Sequence, residues 1–187
     1  VDGVRRTFAA IAGAKVPRVL HISSVGVYQV RAGRVMTEDT PLRTRFRIDP
    51  SLLTTNWRYT LTKAEGERVA WAEARALGCG LTVFRPGPVY GSGDVKLMPK
   101  LVQRAQRRTV WVPNVGLPLV HAGDIARGVV AAFEEETALG QAYNFGGVTH
   151  PLPDVIRTLA QAMHTTCTVR NVPLGLGVRF DDTKAAR

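Results

Sequence analysis

A chain of 187 residues that is 45% hydrophobic, with a net charge of +10, can bury one sizeable core, and no apolar run in it is long enough to span a membrane. The charge is carried mostly by arginine, and its densest groups, RTRFR (43–47) and QRAQRR (103–108), lack the interleaved aromatics that stack on bases, which argues against a nucleic-acid partner. Cys79 and Cys167 match no metal-ligand spacing and make no disulfide framework, which points to a reducing, cytoplasmic setting.

The opening segment VDGVRRTFAAIAGAKV places Val4, Phe8 and Ile11 at helical spacing and enters as a helix already under way. Gly13 and Pro17 mark a break. RVLHISSVGVY (18–28) supplies a short apolar strand ending in serines, and residues 29 to 55, rich in Arg, Thr and Pro, read as an irregular surface excursion. A helix is expected from about Asn56 to Leu77, stopped by Gly78 and Gly80. LTVFRP (81–86) reads as a strand and GPVYGSGD as a loop.

A helix near 95–108 and a short strand TVWV (109–112) follow. LPLVHAGDIARGVVAAFEEE reads as a strand or turn and then a helix capped by Asp124 or a neighbour, with His121 supporting the turn. QAYNFGG (141–147) is a strand and turn, PDVIRTLAQAMH opens a helix with proline, and TCTVRNV closes as a strand. FDDTKAAR reads as the start of another helix, capped by Asp182 or Thr183. Alternating strands and helices are the grammar of an open α/β sheet. A chain that begins and ends inside such elements reads as a fragment.

The helix expected from Asn56 places Tyr59 four residues before Lys63, so both share one face. An ammonium near a phenol favours the phenolate, which moves a tyrosine toward useful proton transfer. Chance alone gives this spacing in about one such chain in ten, so the spacing by itself is weak. Its surroundings are more informative. The face continues through Gly66, Ala70, Ala74 and Leu77, and a second stripe runs Leu61, Ala64, Val69, Ala72 and Ala76. Two apolar faces predict a sandwiched helix. Ser23 and Ser24 lie just past a strand end, where ligands gather in open α/β sheets. Ser24 there is either a ligand-binding hydroxyl or a turn or cap serine. His21 reads as a packed or hydrogen-bonded strand residue, Arg85 as the partner of a carboxylate or carbonyl, and Trp57, Trp71 and Trp111 as packing.

The segments RVLHISSVGVY, YTLTK, LTVFRPGPVYGSGD, LVHAGDIARGV, AYNFGG and FDDTKAAR, in that order, resemble the extended short-chain dehydrogenase/reductase family. That family includes the NAD-dependent epimerases, dehydratases and hydroxysteroid-type dehydrogenases. The resemblance implies an α/β fold, a partial Rossmann-like doubly wound parallel sheet with a small C-terminal substrate-binding lobe. Residues 1–90 would be the later part of the NAD(P)-binding domain and 91–187 mainly the lobe, interleaved with sheet elements. It implies an NAD(P)-dependent oxidoreductase or epimerase working by hydride transfer at a hydroxyl or carbonyl carbon. Ser24 would polarise the substrate oxygen, Tyr59 would be the acid–base residue, and Lys63 would hold the nicotinamide ribose. Pro86, Gly87 and Val89 would face the nicotinamide, with NAD or NADP as cofactor. Relatives pair through the Tyr–Lys helix, so a homodimer is expected, with no nucleic-acid or membrane partner. The rival reading is a non-catalytic NAD(P)-binding or assembly module of the same fold.

Departures from the family pattern narrow the chemistry. The glycine-rich GxxGxxG turn is absent, and neither PLGLGV (173–178) nor GSGD (91–94) replaces it. Val25 and Gly26 stand where 4,6-dehydratases carry acidic residues, which excludes a carboxylate role there. Pro88 and Leu117 occupy positions that hold Asn and Arg in many nucleotide-sugar epimerases, removing two diphosphate anchors. These changes lean toward a less charged substrate, as in the hydroxysteroid-like and reductase-like branches. The 187 residues alone are expected not to bind NAD(P) tightly; a calorimetric titration of the isolated chain with either cofactor should show no micromolar site.

Overall fold

The computed structural model describes residues 1–29, 33–44, 57–173 and 179–186. In chain order the elements are helix α1 (Asp2–Ala14), strand β1 (Arg18–Ile22), β2 (Val35–Met36), helix α2 (Trp57–Leu77), β3 (Gly80–Pro86), β4 (Val89–Tyr90) and α3 (Met98–Ala105). They continue with β5 (Thr109–Pro113), β6 (Gly116–Pro118), β7 (Val120–His121), α4 (Ala122–Glu134), β8 (Ala142–Phe145), β9 (Thr149–Pro151), α5 (Leu152–Ala162), β10 (Thr168–Val172) and β11 (Arg179–Phe180). The expected start at Asn56, part of RTRFR and nearly all of PLGLGV lie outside the described residues.

The central sheet runs β1–β3–β8, and both pairings are parallel. Residues alternate across β3. Leu81 and Val83 pack with Phe8, Ala70 and Ala74 of α1 and α2 on one face. Phe84 meets Ala132 of α4 on the other. Helices on both faces of a parallel sheet make the doubly wound α/β layer. The predicted stripe of small residues explains the α1 contact. Gly66, Ala70 and Ala74 are buried, and a Cβ on Gly66 would lie 3.7 Å from Val4, so the helices approach closely. The second stripe is only half covered: Ala64 and Val69 are buried, whereas Ala72 and Ala76 are exposed.

A second core forms around α3, α5 and β5, where Leu101, Ala105, Val110, Val112 and Ile156 are buried together. Strand β5 pairs in parallel with β10, and β6 pairs antiparallel with β9. Short parallel contacts β4–β7 and β2–β11 complete the pairing.

Four expectations change. Residues 33–44 are not merely a surface excursion, because Met36 and Arg43 are 1% and 2% exposed and Tyr28 bridges to Leu42. The cap of α4 is His121, whose Nδ1 accepts from the Gly123 amide, while Asp124 sits in the first turn and pairs with Arg127. FDDTKAAR gives a strand and a turn in the described residues, with Asp181, rather than Asp182 or Thr183, accepting from the Thr183 amide. Trp111 is 66% exposed beneath the Arg170 guanidinium, so it is not a core residue.

Gly87 is required by a close approach. A Cβ on Gly87 would lie 2.3 Å from the Pro118 carbonyl oxygen and 3.2 Å from that of Gly146. Backbone cannot yield as a flexible side chain does, so Gly87→Ala should destabilise the fold by about 1–3 kcal/mol. Urea denaturation of the full-length protein measures this.

Candidate active site

The strands β1, β3 and β8 end together. The Ser23 amide donates to the Phe84 carbonyl (2.7 Å), and the Gly87 amide donates to that of Phe145 (2.9 Å), so the ladder runs on past each strand end. Ser24, Pro86 and Gly87 are thereby brought to one edge of the sheet, the side where open α/β folds bind ligands. Val89 follows at the start of β4, 38% exposed and paired with Val120.

Lys63 ties α2 to this edge. Its Nζ donates to the Ile22 carbonyl at 3.0 Å. An ammonium has three protons, and this bond uses one. Burial holds the Lys63 pKa below the usual lysine value. Tyr59 lies one turn nearer the start of α2 and is 46% exposed. Ser24 is the N-cap of a short 3-10 turn (Val25–Val27), and its Oγ accepts from the Gly26 amide at 3.1 Å. Both sequence readings of Ser24 are therefore compatible. As a cap the oxygen accepts, and its own proton stays available for another oxygen.

A buried polar cluster escaped the sequence reading. Glu67 is fully buried and Arg85 is 4% exposed. The Arg85 Nε donates to both Glu67 oxygens (3.1 and 3.2 Å), and Nη2 donates to Oε1 (2.5 Å). The Ser23 hydroxyl donates to Glu67 Oε2 at 2.6 Å. Arg85 Nη1 donates to the Tyr28 hydroxyl (2.6 Å) and the Glu38 carbonyl (3.0 Å). The Tyr28 hydroxyl then donates to Asn144 Oδ1 at 2.6 Å. Burial pushes the Tyr28 phenol up to about 12 despite Arg85, so it stays a neutral donor. The reading of Arg85 as partner of a carboxylate or a carbonyl is met twice over. The other members had a faint signal: Glu67 continues the four-residue spacing of Tyr59 and Lys63. His21, on the same strand face, keeps a buried Nε2 with no partner among the described residues, and burial lowers its pKa.

The features fit a nicotinamide cofactor. Lys63 offers unassigned ammonium protons at a strand end, and Val89, just past the end of β3, is partly exposed. Within GSGD, Asp94 takes the amides of Lys96, Leu97 and Met98, bonds that lower its pKa, so a carboxylate occupies the start of α3 where a phosphate would otherwise sit. No group of three potential metal ligands occurs among the described residues.

The model of the NAD-dependent epimerase/dehydratase family matches residues 1–146. The chain belongs to this family. Among curated proteins it is similar to tetraketide alpha-pyrone reductase 2 of Arabidopsis thaliana, at 30% identity over 119 residues, 61% of this chain and 37% of that protein. Cinnamoyl-CoA reductase 2 of the same plant is 28% identical over 145 residues, 75% of this chain and 43% of that protein. The chain therefore spans less than half the length of these relatives. Among solved structures, UDP-glucuronic acid 4-epimerase from Bacillus cereus, in complex with UDP-glucuronic acid and NAD, superposes with a TM-score of 0.77 at 20% identity. That match covers 98% of this chain and 58% of the other. At that identity the match carries the fold, a Rossmann-like α/β layer, and the family model carries the membership.

Removing Arg85 should leave Glu67 buried without its counter-charge. Arg85→Met is expected to cost about 3–5 kcal/mol, and a compensating apolar replacement of both residues should recover part of that. Chemical denaturation of the two variants compares them.

Proposed function

We propose that the full-length protein is an NAD(P)-dependent oxidoreductase or epimerase of the extended short-chain dehydrogenase/reductase type, acting by hydride transfer at a hydroxyl or carbonyl carbon. The observation that carries this reading is the Lys63 tie to the end of β1, one helical turn from an exposed Tyr59 and two residues from Ser24. In this reading Ser24 donates its free proton to the substrate oxygen. Tyr59 gives or takes the proton at that oxygen. Lys63 keeps its ammonium beside them and binds ribose hydroxyls. When bound, the nicotinamide supplies or accepts the hydride. Pro86, Gly87 and Val89 line its ring.

Residues 1–90 serve as the later part of the cofactor domain, and 91–187 mainly as the substrate lobe; the separate core around α3 and α5 supports that division. Among substrates, the less charged carbonyl compounds fit best. Val25 is buried and a Cβ on Gly26 would already lie 3.1 Å from Thr60 Cγ2, so no carboxylate reaches the site from there. Leu117 is buried in the lobe core. Both plant relatives are named as reductases, which agrees with reduction of a carbonyl. The exposed stripe of Ala72 and Ala76 beside half-buried Leu61 supports a homodimer through α2. No helix among the described residues is long and apolar enough to cross a membrane.

The test is reduction by NADH and NADPH of a 3-ketosteroid, cinnamaldehyde and UDP-4-keto-glucose by the full-length protein. The steroid or the aldehyde should react faster than the sugar nucleotide. Tyr59→Phe should lower turnover by ~10²-fold or more while leaving the cofactor Kd within about twofold. Turnover by Tyr59→Phe at the wild-type rate removes Tyr59 from the mechanism, and absence of turnover by the unmutated full-length protein with cofactor bound favours the non-catalytic module.

A further inference from the structure

Tyr59, Lys63 and Glu67 follow one another at four-residue spacing on α2, so they lie along one face. The last two grip consecutive residues of the β1 end. Lys63 Nζ takes the Ile22 carbonyl at 3.0 Å, and Glu67 Oε2 takes the Ser23 hydroxyl at 2.6 Å. The next residue is Ser24. A hydroxyl donating to a carboxylate at this distance is a charge-assisted bond, among the stronger kinds. The carboxylate itself is immobile, because Arg85 holds both its oxygens and Trp71 Nε1 reaches Oε1 at 3.4 Å. Ser23 is 2% exposed, so water does not compete for its hydroxyl.

We propose that Ser23, anchored on Glu67, is a positioning residue that sets Ser24 against the Tyr59–Lys63 face of α2. The inference rests on the catalytic reading of Ser24 and Tyr59 above. Ser23 touches no reacting atom in this scheme. It acts by fixing the backbone from which Ser24 projects. The Ser24 Oγ is in turn oriented by the Gly26 amide. Without the tie, the Lys63 bond is the hydrogen bond that remains between α2 and the 22–24 segment among the described residues, and the turn that begins at Ser24 gains freedom. Small displacements of a reacting group are costly: a shift of about 1 Å is worth ~10²-fold in rate.

The experiment uses Ser23→Ala in the full-length protein, a small change that leaves Glu67 paired with Arg85, and Ser23→Thr, which keeps the hydroxyl. The first readout needs no turnover. Hydrogen exchange of the Gly26 amide should accelerate about tenfold or more in Ser23→Ala, with Leu20 and His21 unchanged, and should return toward wild type in Ser23→Thr. The second readout is kcat with the fastest of the three probe compounds above. Ser23→Ala should lower kcat about tenfold with the cofactor Kd unchanged, and Ser23→Ala/Ser24→Ala should be no slower than Ser24→Ala alone, the non-additivity of two residues acting through one. Additive losses, or wild-type kcat and wild-type Gly26 exchange in Ser23→Ala, overturn the proposal. Ser24→Ala and Tyr59→Phe are the controls. If both react at the wild-type rate, or no probe is turned over, the catalytic reading has failed. The exchange measurement then still decides whether Ser23 restrains the turn.

Discussion

The buried pair of Glu67 and Arg85 is the constraint around which the rest is arranged. Their side chains are 0% and 5% exposed. Removing two charges from water is costly by several kcal/mol each, and only excellent geometry with further hydrogen bonds offsets it. Both conditions are met: three contacts join the pair, and Ser23, Tyr28, Trp71 and the Glu38 carbonyl satisfy what remains. A helix slid along the sheet by one residue would separate the charges and strand each in an apolar setting. The pair therefore sets the register of α2 on β3.

That register places the catalytic candidates. With Glu67 fixed under Arg85, Lys63 stands one turn away against the end of β1, and Tyr59 one turn further toward the opening of the helix. On the inner side, Gly66, Ala70 and Ala74 leave room for α1. Through Tyr28 the same network reaches Asn144 on β8, whose Nδ2 donates to the Asp181 carbonyl in the C-terminal segment. One chain of hydrogen bonds thus spans the three sheet strands and the loops at their ends.

The order of strands and helices was legible because each segment carries its own apolar period and its own glycine or proline stops. Tyr59, Lys63 and Ser24 were legible as candidates because two of them share a helical spacing and the third ends an apolar strand. The cap of α4 was misread. Asp124 is the better capping residue by type, but the chain enters the helix earlier, and the imidazole of His121 reaches the Gly123 amide first. Trp111 was misread for a similar reason: a large apolar residue on a strand is usually inward, yet β5 turns Val110 and Val112 to the core and Trp111 outward. Residues 33–44 have a polar, proline-containing composition that hides the burial of Met36 and Arg43.

The sequence by itself determined the element order, the family and the residues able to transfer a proton, because those depend on local periodicity and on side-chain type. Only the tertiary structure decided that Ser23, Tyr28, Glu67, Arg85 and Asn144 form one buried network. They lie on different elements, up to 121 positions apart in the chain, and no local pattern links them. Their meeting follows from parallel pairing of β1, β3 and β8 with α2 laid across one face, and burial then makes each polar group depend on the others for its partners.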